Sequence, residues 1–417
     1  MVNIAEKSDT RQPSRTSLRA LDWANFFLAD VRDGLGPYLA IFLLTSLHWN
    51  AQNIGLAMSV MGIATVVTQT PAGILVDRTR KKRLLSIMAS MLIATAALLT
   101  ILLPTYSVVI GGQALMGVAA AWFAPAVAAI TLGLVGHNVL DRQIGRNETF
   151  NHAGNVFAAL LAGLIGYYVS PKGIFVLLAA MSLVSSVTIW QIREEDIDHE
   201  LARGDGDTEG GDSGDKPSGW RAIFTNRPIL FFALACVLFH FANAAMLPLL
   251  GQRLAKGINA GASSAYMSAC IIVAQIVMIP VSALTGQLAD KGRKRLLLIG
   301  FLVLPIRGVL YTLTNDPILL IAIQVLDGIG AGTFGVLSIL IVSDLTKGSG
   351  LFNTTQGAIA TAIGLGASLS NAFAGGIVQR SGYNTAFLVL SGIAVAALAI
   401  LSLFVPETKQ ISEASYK

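Results

Sequence analysis

Gly73-Ile74-Leu75-Val76-Asp77-Arg78-Thr79-Arg80-Lys81-Lys82 and Gly286-Gln287-Leu288-Ala289-Asp290-Lys291-Gly292-Arg293-Lys294 are two copies of one basic turn, each set between long apolar segments. They lie roughly two hundred residues apart, so the turn marks an internal duplication. A helix needs about twenty apolar residues to cross a bilayer core, and runs of that kind recur on both sides of each copy. In the first half they span Leu21–Leu47, Asn53–Val76, Leu84–Leu103, Val108–Val135, Thr149–Val169 and Gly173–Gln191. In the second they span Ile229–Leu250, Ser263–Ala289, Leu296–Leu313, Pro317–Val342, Phe352–Val378 and Ala386–Phe404. The expected fold is an all-α membrane protein with twelve transmembrane helices in two pseudo-symmetric six-helix bundles. The expected organisation is a tail over 1–20, a bundle over 21–192, a linker over 193–227, a second bundle over 228–405 and a tail over 406–417.

Composition supports lipid as the main solvent. Hydrophobic residues make up 54% of the chain and charged residues only 13%, and the mean hydropathy is +0.66, too few charges to coat a globular surface of this size. The net charge of +5 is concentrated in short loops, which orients helices in a bilayer rather than binding nucleic acid. Cys236 and Cys270 lie in apolar runs and give neither a disulfide framework nor a zinc spacing. No cleavable signal pattern precedes the first apolar run.

One set of short loops carries Arg78, Arg80, Lys81, Lys82, Arg83, Arg142, Arg146, Lys291, Arg293, Lys294, Arg295 and Lys347, whereas the opposite set carries only Lys172, Arg253, Lys256 and Arg380. That asymmetry predicts a multi-pass protein of the cell (inner or plasma) membrane with both termini cytoplasmic. The linker, with its run Gly204-Asp205-Gly206-Asp207-Thr208-Glu209-Gly210-Gly211-Asp212, is too polar to order itself by apolar burial. Trp220, Ile223 and Phe224 near its end fit either an interfacial helix or a simple aromatic anchor.

Other stretches repeat the duplication. Gln113-Ala114-Leu115-Met116-Gly117-Val118-Ala119-Ala120 in the fourth span matches Gln324-Val325-Leu326-Asp327-Gly328-Ile329-Gly330-Ala331 in the tenth, and small residues at this spacing permit close helix packing. Gly36-Pro37-Tyr38-Leu39 lines up with Leu247-Pro248-Leu249-Leu250, which predicts a bend in the first and seventh spans.

Ionisable groups within the spans are the chemical candidates. Asp30, Arg32 and Asp33 share the first span; at about 100° per residue the two carboxylates lie about 60° apart. Each buried charge costs at least about 2.5–3.5 kcal/mol on insertion scales, which argues for a water-filled cavity where Asp30 or Asp33 exchanges a proton and Arg32 balances charge or holds an anionic group. A permanently ionised network pinning the first span is the competing reading. Arg307 and Asp327 are further buried charges that either pair or face the cavity separately. The polar opening of the fifth span, with Glu148, Asn151, His152 and Asn155, and that of the eleventh, with Asn353 and Gln356, offer recognition of a polar solute or simply sit at the interface. His240 follows Cys236 by one helical turn, a pair too small on its own for a metal site. No spanning Ser/His/Asp set, phosphate loop or cofactor motif occurs, so neither an enzyme nor a bound cofactor is expected.

The two basic turns and the twelve-span layout resemble the major facilitator superfamily, whose loop between the second and third helices reads Gly-x-Leu-x-Asp-Arg/Lys-x-Gly-Arg/Lys-Arg/Lys. The first copy departs from it by placing Arg80 where glycine is usual, and the second lacks one residue before Gly292. The resemblance implies a cytoplasmic gate built from Gly73, Asp77, Arg78, Gly286, Asp290 and Arg293, with the glycines permitting close helix approach and the aspartates meeting a helix N-terminus and a loop arginine. It also implies a central cavity lined by the first, fourth, seventh and tenth helices. Gln113, Asn243, Gln324 and Asp327 are expected to face that cavity, with Arg307 in support. Many proton-coupled drug exporters of the superfamily carry an arginine where Gln113 stands and a Gly-x-x-x-Gly-Pro motif in the fifth span, whereas Ala153–Gly166 contains no proline.

These features lead to a monomeric secondary transporter moving a small organic solute by alternating access, coupled to protons or else sodium, with antiport-type efflux of a metabolite, chelator or toxic compound favoured. Alternatives are a proton-coupled importer of a polar or anionic solute, a ferroportin-like divalent metal exporter using Cys236 and His240, and a non-transporting sensor on the same fold.

Overall fold

The computed structural model describes residues 13–33, 35–136, 139–203, 225–346 and 352–409. Among them every regular element is helical. The ends of both tails, Lys347 and the acidic run 204–224, including Trp220, Ile223 and Phe224, lie outside the described residues.

The chain starts with α1 (Arg15–Asp33) and α2 (Gly36–Thr45). Gly36 has φ +41° and Pro37 follows it at the start of α2, so the bend expected in the first span is made by a glycine that tolerates positive φ and a proline without an N–H. Next come α3 (Ala51–Arg78), α4 (Lys82–Leu102), α5 (Tyr106–Val135), α6 (Leu140–Tyr168) and α7 (Pro171–Gln191). The second half repeats the order with α8 (Arg227–Ala244), α9 (Met246–Gly257), α10 (Ala260–Leu288), α11 (Arg293–Leu313), α12 (Pro317–Ala322), α13 (Gln324–Leu345) and α14 (Phe352–Phe404). Pro248 removes the N–H that would bond the Ala244 carbonyl, and the seventh span breaks at Ala245 between α8 and α9.

Nine helical stretches among the described residues are long and apolar enough to cross a bilayer. The last of them, Thr354–Phe404, has 51 residues and breaks at Gly382, where φ is +81°; at about 1.5 Å per residue it supplies two crossings. The charge-bearing pair α1–α2 and the polar-headed α6 complete a layout consistent with twelve.

Duplication reaches the helix caps. Asn50 accepts from the Asn53 N–H at the start of α3, and Asn259 accepts from the Ala262 N–H at the start of α10, both at 2.8 Å. It reaches the packing too: a methyl group at Gly117 in α5 would collide with the Met61 carbonyl of α3, and one at Gly328 in α13 with the Ala274 carbonyl of α10. Leu102, Tyr168, Leu313 and Ile318 are at least 70% exposed, a surface that only lipid satisfies.

Two boundaries differ from expectation. Helix α1 begins at Arg15 rather than Leu21, because Ser17, Leu21 and Asp22 are buried against the bundle. The first part of the expected linker also folds: Glu194–Asp196 and Leu201–Arg203 form short 3-10 turns and bury Ile192, Ile197 and Ala202. Asp196 holds this segment by accepting from Ser14 Oγ at 2.5 Å, Ser17 Oγ at 2.6 Å and the Ser14 N–H at 3.2 Å. Desolvation raises its pKa, yet the serine hydrogen bonds prevail and hold the carboxyl below its ordinary 3.8. A depressed carboxylate contributes stability above the unfolded-state pKa and loses it as pH falls through the folded one. Asp196→Ala is therefore expected to lower unfolding stability by about 1–2 kcal/mol at pH 7, with the gap from the parent protein closing below about pH 4; thermal unfolding across pH checks this.

Candidate functional site

Helices α8, α11 and α13 enclose a cavity of about 140 Å³ lined by Phe239, His240, Asn243, Arg307, Asp327 and Phe334. Arg307 is 2% exposed. One guanidinium nitrogen donates to Asp327 Oδ1, and the other donates to Asn243 Oδ1 and, at 3.4 Å, to Met246 Sδ. A guanidinium stays charged at any accessible pH, so Asp327 is its counter-charge, and removing Asp327 leaves an uncompensated cation in a low-dielectric interior. Of the two arrangements open in the sequence, the pair is the one observed. Asp327 remains 23% exposed towards the cavity.

His240 turns Nδ1 to the Cys236 carbonyl oxygen at 2.9 Å rather than to the thiol, and Cys236 is fully buried. The one-turn spacing thus serves to satisfy a backbone carbonyl. No group of three or more His, Cys, Asp or Glu side chains suited to a metal occurs among the described residues.

In the first half, Asp30 is half-buried and lies within electrostatic reach of the Tyr38 hydroxyl, which shares a 2.7 Å hydrogen bond with Ser268 Oγ of α10. The backbone of Arg32 and Asp33 belongs to α1; the side chains of Arg32, Asp33 and Asn353 lie outside the described residues.

The halves meet at the end opposite the basic loops. Helix α2 packs on α9, α3 on α14, and α6 on α10. Small residues allow this approach: methyl groups at Gly55 and Gly375 would strike the carbonyls of Asn371 and Ala51, and ones at Gly62, Gly163 and Gly166 would strike Ser368, Ser268 and Ser264. The Ala372 N–H donates to Ser59 Oγ at 2.9 Å. Near the middles of α6 and α10, His152 Nδ1 and Gln275 Oε1 meet at 3.2 Å.

At the basic-loop end the expected close approach is absent. A methyl group at Gly73 or Gly286 would meet open space, because the halves stand apart here. Asp77 and Arg78 are exposed. Asp290 bonds Lys409 of the C-terminal segment at 2.5 Å instead of a loop arginine, and that ammonium holds its carboxyl below the usual carboxylate range. Arg293 pairs with Asp344 at 2.5 Å, and Glu407 accepts from the Arg293 and Lys294 N–H groups at 3.0 and 3.1 Å.

Other expected cavity groups are placed elsewhere. Gln113 is 2% exposed and Gln324 fully buried; Gln113 Nε2 meets Met116 Sδ at 3.5 Å, and Gln324 Nε2 donates to the Tyr311 hydroxyl at 2.7 Å. Both lie in the part of the molecule nearest the sealed end, where packing leaves no space. Glu148 is exposed, Gln356 half-buried, and Asn155 donates to Asn151 at 3.3 Å; neither these nor His152 lines the Arg307 cavity. Tyr38, Ser268, Ser59, Gln275 and Lys409 were not singled out from sequence. Ser264 and Ser268, one turn apart, carry the small-residue signal that marks a helix interface.

Comparison with known proteins agrees with this arrangement. The family model described as the Major Facilitator Superfamily matches residues 21–291 and 275–416. An uncharacterised MFS-type transporter of Mycobacterium tuberculosis, strain H37Rv, is 48% identical over 392 residues, covering 94% of this chain and 93% of its own, and its counterpart in strain CDC 1551 matches equally. Among solved structures, the nucleoside transporter NupG superposes with a TM-score of 0.77 at 16% identity, over 93% of this chain and 100% of its own. A D-xylose–proton symporter gives 0.72 at 12% identity, over 94% and 98%. A bacterial homologue of the human lysosomal transporter Spinster, inward-facing and occupied, gives 0.71 at 14%, over 93% and 95%. With its doubled basic turn, a family-model match across nearly the whole chain and a relative 48% identical over 392 residues, this chain belongs to the major facilitator superfamily.

Proposed function

We propose that this protein is a proton-coupled secondary transporter that exports a small organic solute by rocking its two halves, with the Arg307–Asp327 cavity of the second half as the solute site. The carrying observation is that the halves are sealed at one end only while a charged cavity lies among the helices of the second half. With the basic loops facing the cytoplasm, the state described is inward-open, the conformation in which an exporter loads its solute and an importer releases it. Asp30, half-buried at the bend between α1 and α2, is the assigned proton carrier, with Asp33 beside it in sequence. Asp77 and Asp290 belong to the gate that closes the basic-loop end in the alternate state.

The test is proton flux in proteoliposomes carrying a trapped pH dye and an imposed gradient, with neutral heterocycles, organic cations, organic anions and divalent metals added one at a time. One class is expected to trigger flux. Asp30→Asn and Asp33→Asn are expected to reduce driven transport by at least about tenfold while solute binding persists, since only the titrating group is removed; undiminished driven transport in both would overturn the proton assignment.

A further inference from the structure

We infer that the Arg307–Asp327 cavity recognises a single planar, uncharged nitrogen heterocycle carrying an N–H donor beside a carbonyl. This rests on the reading of that cavity as the solute site and narrows it to a chemical class.

Size is the first argument. At about 140 Å³ the cavity compares with one of about 150 Å³ that accommodates a benzene ring. Its wall carries an aromatic cluster: Phe239 and Phe334 stack on each other at 7° with centroids 5.6 Å apart, and the His240 ring meets Phe334 at 69° with centroids 4.6 Å apart, so a flat ring can lie against the cluster's cavity face.

The hydrogen-bond inventory gives the second argument. His240 Nδ1 faces a carbonyl oxygen, which can only accept, so Nδ1 carries the proton and Nε2 is left as an acceptor. Asn243 spends Oδ1 on Arg307, leaving its amide N–H donors. Asp327 spends Oδ1 on Arg307; no bond to Oδ2 occurs among the described residues. Two acceptors and one donor group on an aromatic-walled cavity complement a ring whose edge alternates N–H and C=O.

Charge gives the third argument. Arg307 and Asp327 cancel, and the guanidinium is 2% exposed with both terminal nitrogens engaged. An anion therefore meets the free carboxylate oxygen rather than the cation.

The experiment is calorimetric titration of the purified full chain with uracil as the neutral ring and benzoate as the anionic ring of similar size. Uracil is expected to bind and benzoate to bind at least about tenfold more weakly. Asn243→Leu and Phe334→Ala are each expected to weaken uracil by about tenfold, as loss of a buried hydrogen bond or aromatic contact would. Benzoate binding as tightly as uracil, or no uracil binding at about 10 mM, overturns the inference. So does uracil binding that both variants leave unchanged. The two readings fail separately: solute-driven proton flux by a non-heterocyclic compound without uracil binding leaves the transporter standing and removes the substrate class. Uracil binding that both variants weaken, without any proton flux, does the reverse.

Discussion

Asp327→Ala is expected to lower unfolding stability by about 3–5 kcal/mol and to abolish transport, because it strands the Arg307 charge in a site that is 2% exposed. The stability loss alone does not assign a function, since any buried ion pair behaves so. The double variant Arg307→Met with Asp327→Leu separates the two effects. Replacing both charges by apolar groups of similar volume is often neutral or stabilising, so the double variant is expected to regain the parent unfolding temperature and still transport nothing. Thermal unfolding in detergent and flux in proteoliposomes, run on the same preparations, read both quantities. A double variant that transports at the parent rate would show that the pair is structural only.

Gly55→Val is expected to leave the fold intact and prevent the sealed end from closing. A side chain there runs into the Asn371 carbonyl and approaches Gly375 Cα to 3.3 Å, and overpacking of this kind costs about 1–3 kcal/mol. The collision exists only while α3 and α14 are pressed together, so its cost falls on one conformation and shifts the balance by about 5- to 150-fold towards the other. Gly117→Val is the control. It strikes the Met61 carbonyl within the first half, where no rocking relieves the clash, and is expected to destabilise every state. Labelling by a membrane-impermeant thiol reagent at Ser59→Cys should rise in the Gly55 variant without a drop in unfolding temperature. If labelling stays at the parent level, the glycine contact does not hold the seal.

Much of this architecture is legible from local chemistry. The proline-containing stretches at Pro37 and Pro248 specify bends because a missing N–H acts locally, and both spans break beside them. The matched glycines Gly117 and Gly328 specify close packing because an absent side chain admits a neighbouring backbone, and both meet carbonyls. Features that depend on distant partners are not legible in this way. Asp196 reads as one more acidic linker residue until Ser14 and Ser17, more than 170 positions away, are brought beside it. Lys409 reads as tail charge until it reaches Asp290. Gln113 and Gln324 occupy the helices expected to line the cavity, and only packing depth decides that they are walled in instead. Gly73 and Gly286 show a different limit: the close approach that their motif implies is not made in this conformation, where a methyl group at either would meet open space.

Rocking of the two halves is tested most directly by a pair of distance measurements by pulsed electron spin resonance on one protein in two states. One spin-label pair at Arg80→Cys and Lys291→Cys spans the halves at the basic-loop end, and another at Gln52→Cys and Ser381→Cys spans them at the sealed end; all four positions are exposed, and native Cys236 and Cys270 are buried. Opposed changes are expected when pH is lowered or solute is added: the first distance shortens as the second lengthens. Distances that stay fixed at both ends under every condition, or that lengthen together, would contradict a transporter that rocks about a central cavity.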